Sequence, residues 1–397
     1  MADQYDYLIT GAGAAGLSLA YHLNQAGLND KRILLIDRAP KAENDRTWCF
    51  WESQPGPFEA VVFRAWDRIG IYSPDFCARL DIQPYRYKMV RAVDFYRFME
   101  DWLARQPNIE RVWAEVIGVE TVGDQAVAHT RTGETYRGAW AFNSIPLTSV
   151  APRPGYHSLL QHFLGWVIRA PQPAFEPQIA TLMDFRVAQD ADTRFVYVLP
   201  LDAQTALVEY TVFSPALLTR DEYAQPLRGY ISQQLRLAAF EVQHEEFGVI
   251  PMTDAPFPIC SGARVYHIGT AGGDTKPSTG YTFRRIQRRA QRIARSLEMS
   301  GRPPIDHSPA SGRHKLLDSV LLNVLSRERM PGWRVFTDLF ARNPPQRVLR
   351  FLDEDTTLLE DLLVMGSVNL PVFLAATADV LRGRLARTGR RLADQDA

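Results

Sequence analysis

The chain has 397 residues, enough for two domains with sizeable cores. Hydrophobic residues make up 46% and charged residues 23%, the composition of an ordinary globular protein. Lys+Arg and Asp+Glu both number 45, and a net charge of zero offers no field that would draw in nucleic acid.

The first predicted element is a buried strand over residues 5–10, followed by the turn Gly11-Ala12-Gly13-Ala14-Ala15-Gly16 and a helix to about Ala26. Gly27 suits the helix C-cap, and a second buried strand over 32–36 is closed by Asp37. Residues 94–105 read as an amphipathic helix opened by Asp94 as its cap. Residues 112–131 read as two strands, and 163–213 as a strand-rich stretch punctuated by Pro. A buried strand over 265–269 leads into a Gly-rich turn and a helix over 280–299. From Lys315 the pattern is helical, broken at 330–332 and 343–345.

The largely apolar stretch 362–381 contains Asn369 and Pro371, and a mid-helix proline removes a backbone hydrogen bond. It is expected to be a buried helix pair, with a membrane-docking surface as the alternative. The Arg-rich segment 382–391 is either a solvated end or a contact for anionic head groups. Cys49, Cys77 and Cys260 show no CxxC and no metal-ligand spacing. A reducing cytosol is their simplest compartment, and no metal is expected. No basic and then apolar leader opens the chain, so no signal peptide is expected.

Strand, GxGxxG turn, helix, strand and terminal acid are the parts of a dinucleotide-binding βαβ unit. Gly11 permits the tight turn, Gly13 lets backbone approach a pyrophosphate, and Gly16 lets helix and strand pack closely. Ala14 and Ala15 open the helix, whose N-terminus offers free N–H groups and partial positive charge. Asp37 can accept hydrogen bonds from an adenosine ribose and disfavours a 2′-phosphate, with Arg38 beside it. Arg91, just before the 94–105 helix, is a further cofactor candidate, although a surface arginine reads the same way.

The second Gly-rich segment runs from Gly269 through Pro277, Ser278, Thr279 and Gly280 to Tyr281. It resembles the distal FAD motif of the glutathione-reductase-like flavoproteins, especially the hydroxylase and carotenoid-enzyme branch. The resemblance implies FAD, and an α/β Rossmann-like FAD-binding fold. Thr270 departs from the hydroxylases, which carry Asp there. The phrase Pro277-Ser278-Thr279-Gly280-Tyr281 also looks like the PxTGY of lycopene β-cyclases. Further pieces fall in the order found in the bacterial single-chain cyclases. They are Arg46-Thr47-Trp48-Cys49-Phe50-Trp51, Gln161-His162-Phe163-Leu164-Gly165-Trp166 and Leu182-Met183-Asp184-Phe185-Arg186. Then come Leu207-Val208-Glu209-Tyr210-Thr211, Gly248-Val249-Ile250-Pro251-Met252 and Arg350-Phe351-Leu352-Asp353-Glu354.

This resemblance spans nearly the whole chain. It implies an FAD-binding domain from 1–150 and 260–305, a β-rich substrate domain from 151–259, and a helical region from 306–397. It implies an isomerase that cyclises the ends of lycopene without net redox change. FAD would be reduced by NAD(P)H and retained, on a protein bound peripherally to the cytoplasmic face of a membrane. Oligomeric state is left open.

Such chemistry needs a carboxylic acid kept protonated, π-faces or negative charge near a carbocation, and exclusion of water. Glu209, in an apolar stretch, is the leading acid and resembles the first Glu of the acidic FLEET-type motif of plant cyclases; an exposed strand carboxylate would look the same. Tyr210 replaces the second acid of that motif and can face away in a strand. Asp184 is the second candidate, though Arg186 two residues on could hold it in a structural ion pair. The acidic run Asp353-Glu354-Asp355 reads as a solvated face or cap. With 20 Phe, 15 Tyr and 8 Trp, the chain is rich in aromatics, and Trp48, Phe50, Trp51, Phe163 and Trp166 are candidates for an apolar tunnel, or plain core. His162 is expected to satisfy a local hydrogen bond. The competing classes are a flavin monooxygenase or oxidoreductase on a lipophilic substrate, and a non-enzymatic prenyl-binding carrier.

Overall fold

In a computed structural model that describes residues 4–146, 152–305 and 312–395, the chain builds three sheets. The first centres on β1 (Gln4–Thr10), which pairs in parallel with β2 (Ile33–Asp37) and with β11 (Thr135–Asn143). Outside β2 lies β8 (Ile109–Trp113), also parallel. A hairpin of β9 (Val116–Val122) and β10 (Gln125–Thr130) hangs on β11, turning at Gly123 with φ +62°. The two strands expected over 112–131 are β9 and β10, with only the last two residues of β8 falling in that span. On the far side, β18 (Val265–His267) returns to pair with β11 and is edged by β17 (Cys260–Ser261). The parallel strands are covered by α1 (Ala14–Gln25) and, beside it, α4 (Phe283–Ser300). These helices are joined by a buried chain, Ser18–Gln287–His22, at 2.8 and 3.1 Å.

The second sheet runs β16 (Glu241–Thr253), β12 (Ser158–Arg169), β15 (Thr205–Ser214), β14 (Thr193–Pro200), β13 (Ile179–Asp184), β5 (Arg68–Ser73), β6 (Phe76–Asp81). Its last two strands come from the segment assigned by sequence to the nucleotide domain, because β5 pairs in parallel with β13. The boundary expected at 150/151 falls on 147–151, outside the described residues. All ten residues of β15 are buried, because α3 (Arg220–Gln233) packs on one face and the site cavity lies on the other. A strand covered on both faces loses the apolar–polar alternation that would mark it in sequence.

The third sheet is small: β3 (Thr47–Glu52), β7 (Arg86–Arg91), β4 (Arg64–Trp66). After β7 comes α2 (Ala92–Leu103). Its cap is Arg91 and not Asp94, which lies in the first turn and binds Arg91 at 2.6 Å.

The C-terminal part contains α5 (Gly312–Ser326), α6 (Gly332–Arg342), α7 (Pro345–Leu352), α8 (Leu358–Met365) and α9 (Leu370–Gln395). Pro371 sits in the first turn of α9, where a missing N–H costs nothing. The expectation of a buried helix pair over 362–381 is corrected here. Val364, Phe373, Ala376 and Val380 pack inward, while Leu358, Leu359, Leu362, Leu363, Leu370 and Leu374 are exposed. No single described helix is long and apolar enough to cross a membrane; α8 and α9 together are, but they bend by 118°. Side chains beyond 386, including the second half of the Arg-rich segment, lie outside the described ones.

The acidic run after α7 includes that helix's C-cap, Asp353, and the exposed Asp355, but its acids are also ion-paired. Asp353 and Asp355 pair with Arg284 and Arg288 of α4. Glu354, in the left-handed conformation at φ +65°, reaches Lys276 at 2.9 Å and Arg285 at 2.7 Å. This latch ties the helical region to the nucleotide-binding half.

Candidate active site

The two glycine turns meet side by side. Gly11 has φ +96°, and a Cβ there would meet Ser144 Oγ at 2.2 Å. A Cβ on Gly16 would lie 1.9 Å from the Gly11 carbonyl, so only glycine lets α1 close against the turn. A Cβ on Gly13 would meet nothing within 4 Å, which leaves open space beside the α1 N-terminus. Ala14 and Ala15 begin α1, both buried. Gly269, at φ +63°, abuts them: its Cβ would come 2.9 Å from that of Ala15. Asp37 closes β2, accepting from the Ala12 N–H and the Arg38 N–H at 2.6 Å each, with lone pairs left for a ribose. The Arg38 side chain is exposed beside it. Arg91 is held by Asp94 and lies 3.6 Å over the Phe63 ring.

The second turn has braces that the motif did not reveal. Asp274 accepts from the Gly269 N–H at 2.6 Å and from Arg289 of α4 at 2.7 Å, and Arg289 also holds the Gly272 carbonyl. Residues 276–281 form a closed turn, with Gly280 N–H bonded to the Lys276 carbonyl and Lys276 N–H to that of Tyr281. Gly280 is at φ +73°, outside helical space, so α4 starts at Phe283 and not at Gly280 as expected. Pro277 is half-buried in this turn.

A cavity of about 220 Å³ opens between this turn, β3 and the second sheet. Five of the quoted motif pieces converge on it: Arg46 to Cys49, Gln161 with Phe163, Leu207 with Glu209, Gly248 to Pro251, and Thr279 to Tyr281. Thr279 Oγ1 and Gln161 Oε1 line it, buried and without a hydrogen-bond partner. Two orphaned polar atoms, an open glycine cradle and two uncapped helix N-termini fit a bound FAD.

Glu209 lies in this cavity, 8% exposed. Burial, and then the charge of Glu246, push its carboxyl well above the usual carboxylate range. Thr211 donates to its Oε1 at 2.9 Å. In the antiparallel register Glu209 stands beside Tyr197 on β14 and Gly165 on β12. Tyr197, Tyr281 and Tyr87 cluster there, with the Tyr87 and Tyr281 hydroxyls 3.2 Å apart. Burial holds all three phenols neutral. The arrangement puts a carboxyl whose burial favours its protonated form, together with aromatic faces, at one wall of an apolar chamber.

Asp184 does not reach the cavity. Fully buried at the end of β13, it takes Arg186 at 2.6 and 2.9 Å and the Tyr230 hydroxyl at 2.6 Å, the geometry of a structural ion pair. Among the aromatic candidates, Trp48 and Phe163 line the chamber. Phe50 stacks on Phe283, and Trp51 meets Tyr281 edge-on and bonds the Leu349 carbonyl. Trp166 points to the opposite face, toward Glu245 and Phe240, because even-numbered residues of β12 face α3. Tyr210 is turned to that face by the same alternation. His162 bonds Tyr223 and Ser214, and burial lowers its pKa to about 4.

Sequence reasoning missed Glu246, Tyr87 and Tyr197. Their proximity to Glu209 comes from strand register and has no local signal.

Residues 6–378 match the family model described as lycopene cyclase protein. The chain belongs to that family. Its members are enzymes of the isomerase class, intramolecular lyases. A lycopene beta-cyclase of Pantoea ananas is 28% identical, over 95% of this chain and 98% of its own length. One from Pseudescherichia vulneris is 27% identical, over 86% and 88%. Among solved structures, a geranylgeranyl bacteriochlorophyll reductase-like protein of Thermoplasma acidophilum superimposes with a TM-score of 0.63 at 14% identity, over 96% of this chain and all of that one. A probable FAD-dependent monooxygenase of Pseudomonas aeruginosa gives 0.55 at 16% identity, over 92% and 99%. The fold of this lycopene cyclase family member is thus the Rossmann-like, FAD-binding α/β fold.

Proposed function

We propose that this protein is a lycopene β-cyclase that converts the ψ-ends of lycopene to β-rings, through γ-carotene to β-carotene, in carotenoid biosynthesis. The observation that carries this reading is Glu209, a carboxyl kept protonated by burial in an aromatic-lined cavity beside the two glycine turns. Glu209 donates a proton to the terminal double bond. The resulting tertiary cation is stabilised by the faces of aromatic rings such as Tyr197 and Tyr281, and the apolar walls keep water from trapping it as an alcohol. Ring closure and loss of a proton give the product. Gly11, Gly13, Gly16, Asp37 and the 269–281 turn would hold FAD, which, once reduced by NAD(P)H, would supply negative charge to the site without being consumed.

A substrate that dissolves only in lipid accounts for the leucine row on α8 and α9, which we assign as a peripheral docking surface on the cytoplasmic face of the membrane. The fold likeness to monooxygenases favours the second reading, an oxygenating flavoenzyme on a lipophilic substrate. The test is incubation of the protein with lycopene, FAD and NADPH in lipid, followed by product identification. Isobaric products with β-rings are expected. Products heavier by oxygen would establish the second reading, and no turnover by a protein that also binds no flavin would leave a carrier.

A further inference from the structure

Glu209 has a carboxyl partner from a distant part of the chain. Gly165 on β12 pairs with Glu209 of β15 on one side and with Glu246 of β16 on the other. The three residues stand in a row on one face of the sheet. Glycine is what lets the flanking side chains meet. A Cβ at 165 would lie 3.1 Å from Glu246 Cγ and 3.4 Å from Glu209 Cβ, so both acids lean over bare backbone. Both side chains line the same cavity wall, close enough for the Glu246 charge to act on the Glu209 carboxyl. Each also has its own hydroxyl donor: Thr211 on Glu209 Oε1 at 2.9 Å, and Thr47 on Glu246 Oε2 at 2.7 Å. One oxygen of each is thereby held, and the other is left to be shared. Glu209 is buried, whereas Glu246 is half-buried on the edge strand β16.

We infer that Glu246 is the second acid of the site, a positioning residue that shares one proton with Glu209 across Gly165 and hands it back between turnovers. The inference rests on the cyclase reading for its chemistry, but the pair itself does not. A negative charge on one of two neighbouring carboxyls opposes ionisation of the other in an apolar wall, so with no cation beside it the pair favours keeping one shared proton. The Glu209 O–H bond breaks as a C–H bond forms on the CH carbon of the substrate's terminal double bond, whose π electrons make the bond and leave the tertiary cation on the dimethyl-bearing carbon. The pair is then doubly negative next to the cation, which favours charge separation there and nowhere else in the cavity. After ring closure a ring C–H bond breaks, its electrons become the ring double bond, and its proton returns to a carboxylate oxygen of the pair. If Glu246 receives it, the shared hydrogen bond passes it to Glu209. No oxidant or reductant is consumed. The other titratable groups at this wall are Cys49 of β3, Tyr87 of β7, Tyr197 of β14 and Tyr281 of the turn, which burial keeps neutral, together with Asp45 and Arg46.

The test uses the FAD-loaded enzyme in lipid and the variant Glu246→Gln. Without the second negative charge Glu209 ionises more easily, so the basic limb of the kcat–pH profile moves down by about one pH unit. We expect kcat to fall about 100-fold or more at neutral pH, with KM within about threefold, and Glu246→Asp to recover part of it. Wild-type kcat with an unmoved basic limb would overturn the proposal. A readout without substrate separates this from the cyclase reading. The infrared C=O band of a protonated carboxyl should vanish in Glu209→Gln and shift in Glu246→Gln. A shifted band in a protein that forms no β-rings would sink the cyclase reading and keep the pair; an unshifted band would sink the pair. Should Glu246→Gln not fold, Glu246→Asp, which keeps the charge but shortens the reach, must shift the same band.

Discussion

Glu209 sits in the middle of a strand whose every residue is buried, a place where an ionised carboxylate would cost several kcal/mol. The chain meets this cost by keeping the group protonated, which is also what an acid catalyst of cation formation needs. Replacing Glu209 by Gln keeps shape and hydrogen bonding but removes the transferable proton. Ring formation should fall by at least about a thousandfold while FAD absorbance of the purified protein is retained; measurable turnover near the wild-type rate would remove Glu209 from the role. Gly280 makes a second residue-scale prediction. Its φ of +73° and the Gln161 Oε1 that would lie 2.2 Å from a new Cβ leave no room for a side chain. Gly280→Ala should cost about 1–2 kcal/mol in left-handed strain alone and displace the Gln161 amide from the cavity wall. Thermal unfolding checks the first effect and FAD titration the second.

The helical region is held by charge and offers apolar surface. Burial pushes the Glu354 carboxyl up, but Lys276 and Arg285 more than offset this and bring its pKa to about 2, from an ordinary 4.5. A carboxyl held down in the folded state stabilises that state above its free value and stops doing so as pH falls through the folded value. The latch should therefore weaken between about pH 5 and 2, releasing stabilisation on the order of 3 kcal/mol. Acid titration followed by tryptophan fluorescence should show this loss in wild type and not in Glu354→Gln, which is destabilised already at pH 7. On the outer face, Leu359 and Leu362 are 68% and 62% exposed. Leu359→Glu with Leu362→Glu should leave thermal stability within about 0.5 kcal/mol, since surface substitutions seldom change more. Co-sedimentation with anionic vesicles should drop severalfold; unchanged binding would remove α8 from the docking surface.

Seen as a whole, the chain folds one cofactor cradle out of pieces far apart in sequence. The first turn lies at 11–16, the second at 269–281, and the cavity beyond them takes walls from β3, β12, β15 and β16. A ligand bound there ties together both large sheets and should stabilise them together. At a free FAD concentration 100-fold above Kd, the gain is about 2.7 kcal/mol, or about 3 °C in Tm for a chain of this length. Calorimetry of the FAD-depleted and FAD-loaded forms should show one transition moving as a unit. A shift confined to one of two separate transitions would mean that the cradle does not couple the halves.

By itself the amino-acid sequence determined the local elements that carry their own physics. A run of apolar residues, a glycine turn that only glycine can make, and a helix N-terminus with free N–H groups are legible within thirty residues, as the segment 5–37 is. It also marked Glu209, because a lone acid in an apolar strand is out of place. It gave no sign of the ion pairs of the acidic run at 353–355, whose partners on α4 lie about seventy residues upstream, and it misjudged the stretch 362–381, where the exposure of the leucines depends on which face of α8 and α9 finds a core. Tertiary structure alone decided that Asp184 is spent on Arg186 and Tyr230, that Tyr197 stands beside Glu209, and that Glu246 meets Glu209 over Gly165. Strand register brings those residues together, and register is a property of paired strands that no single stretch of chain contains.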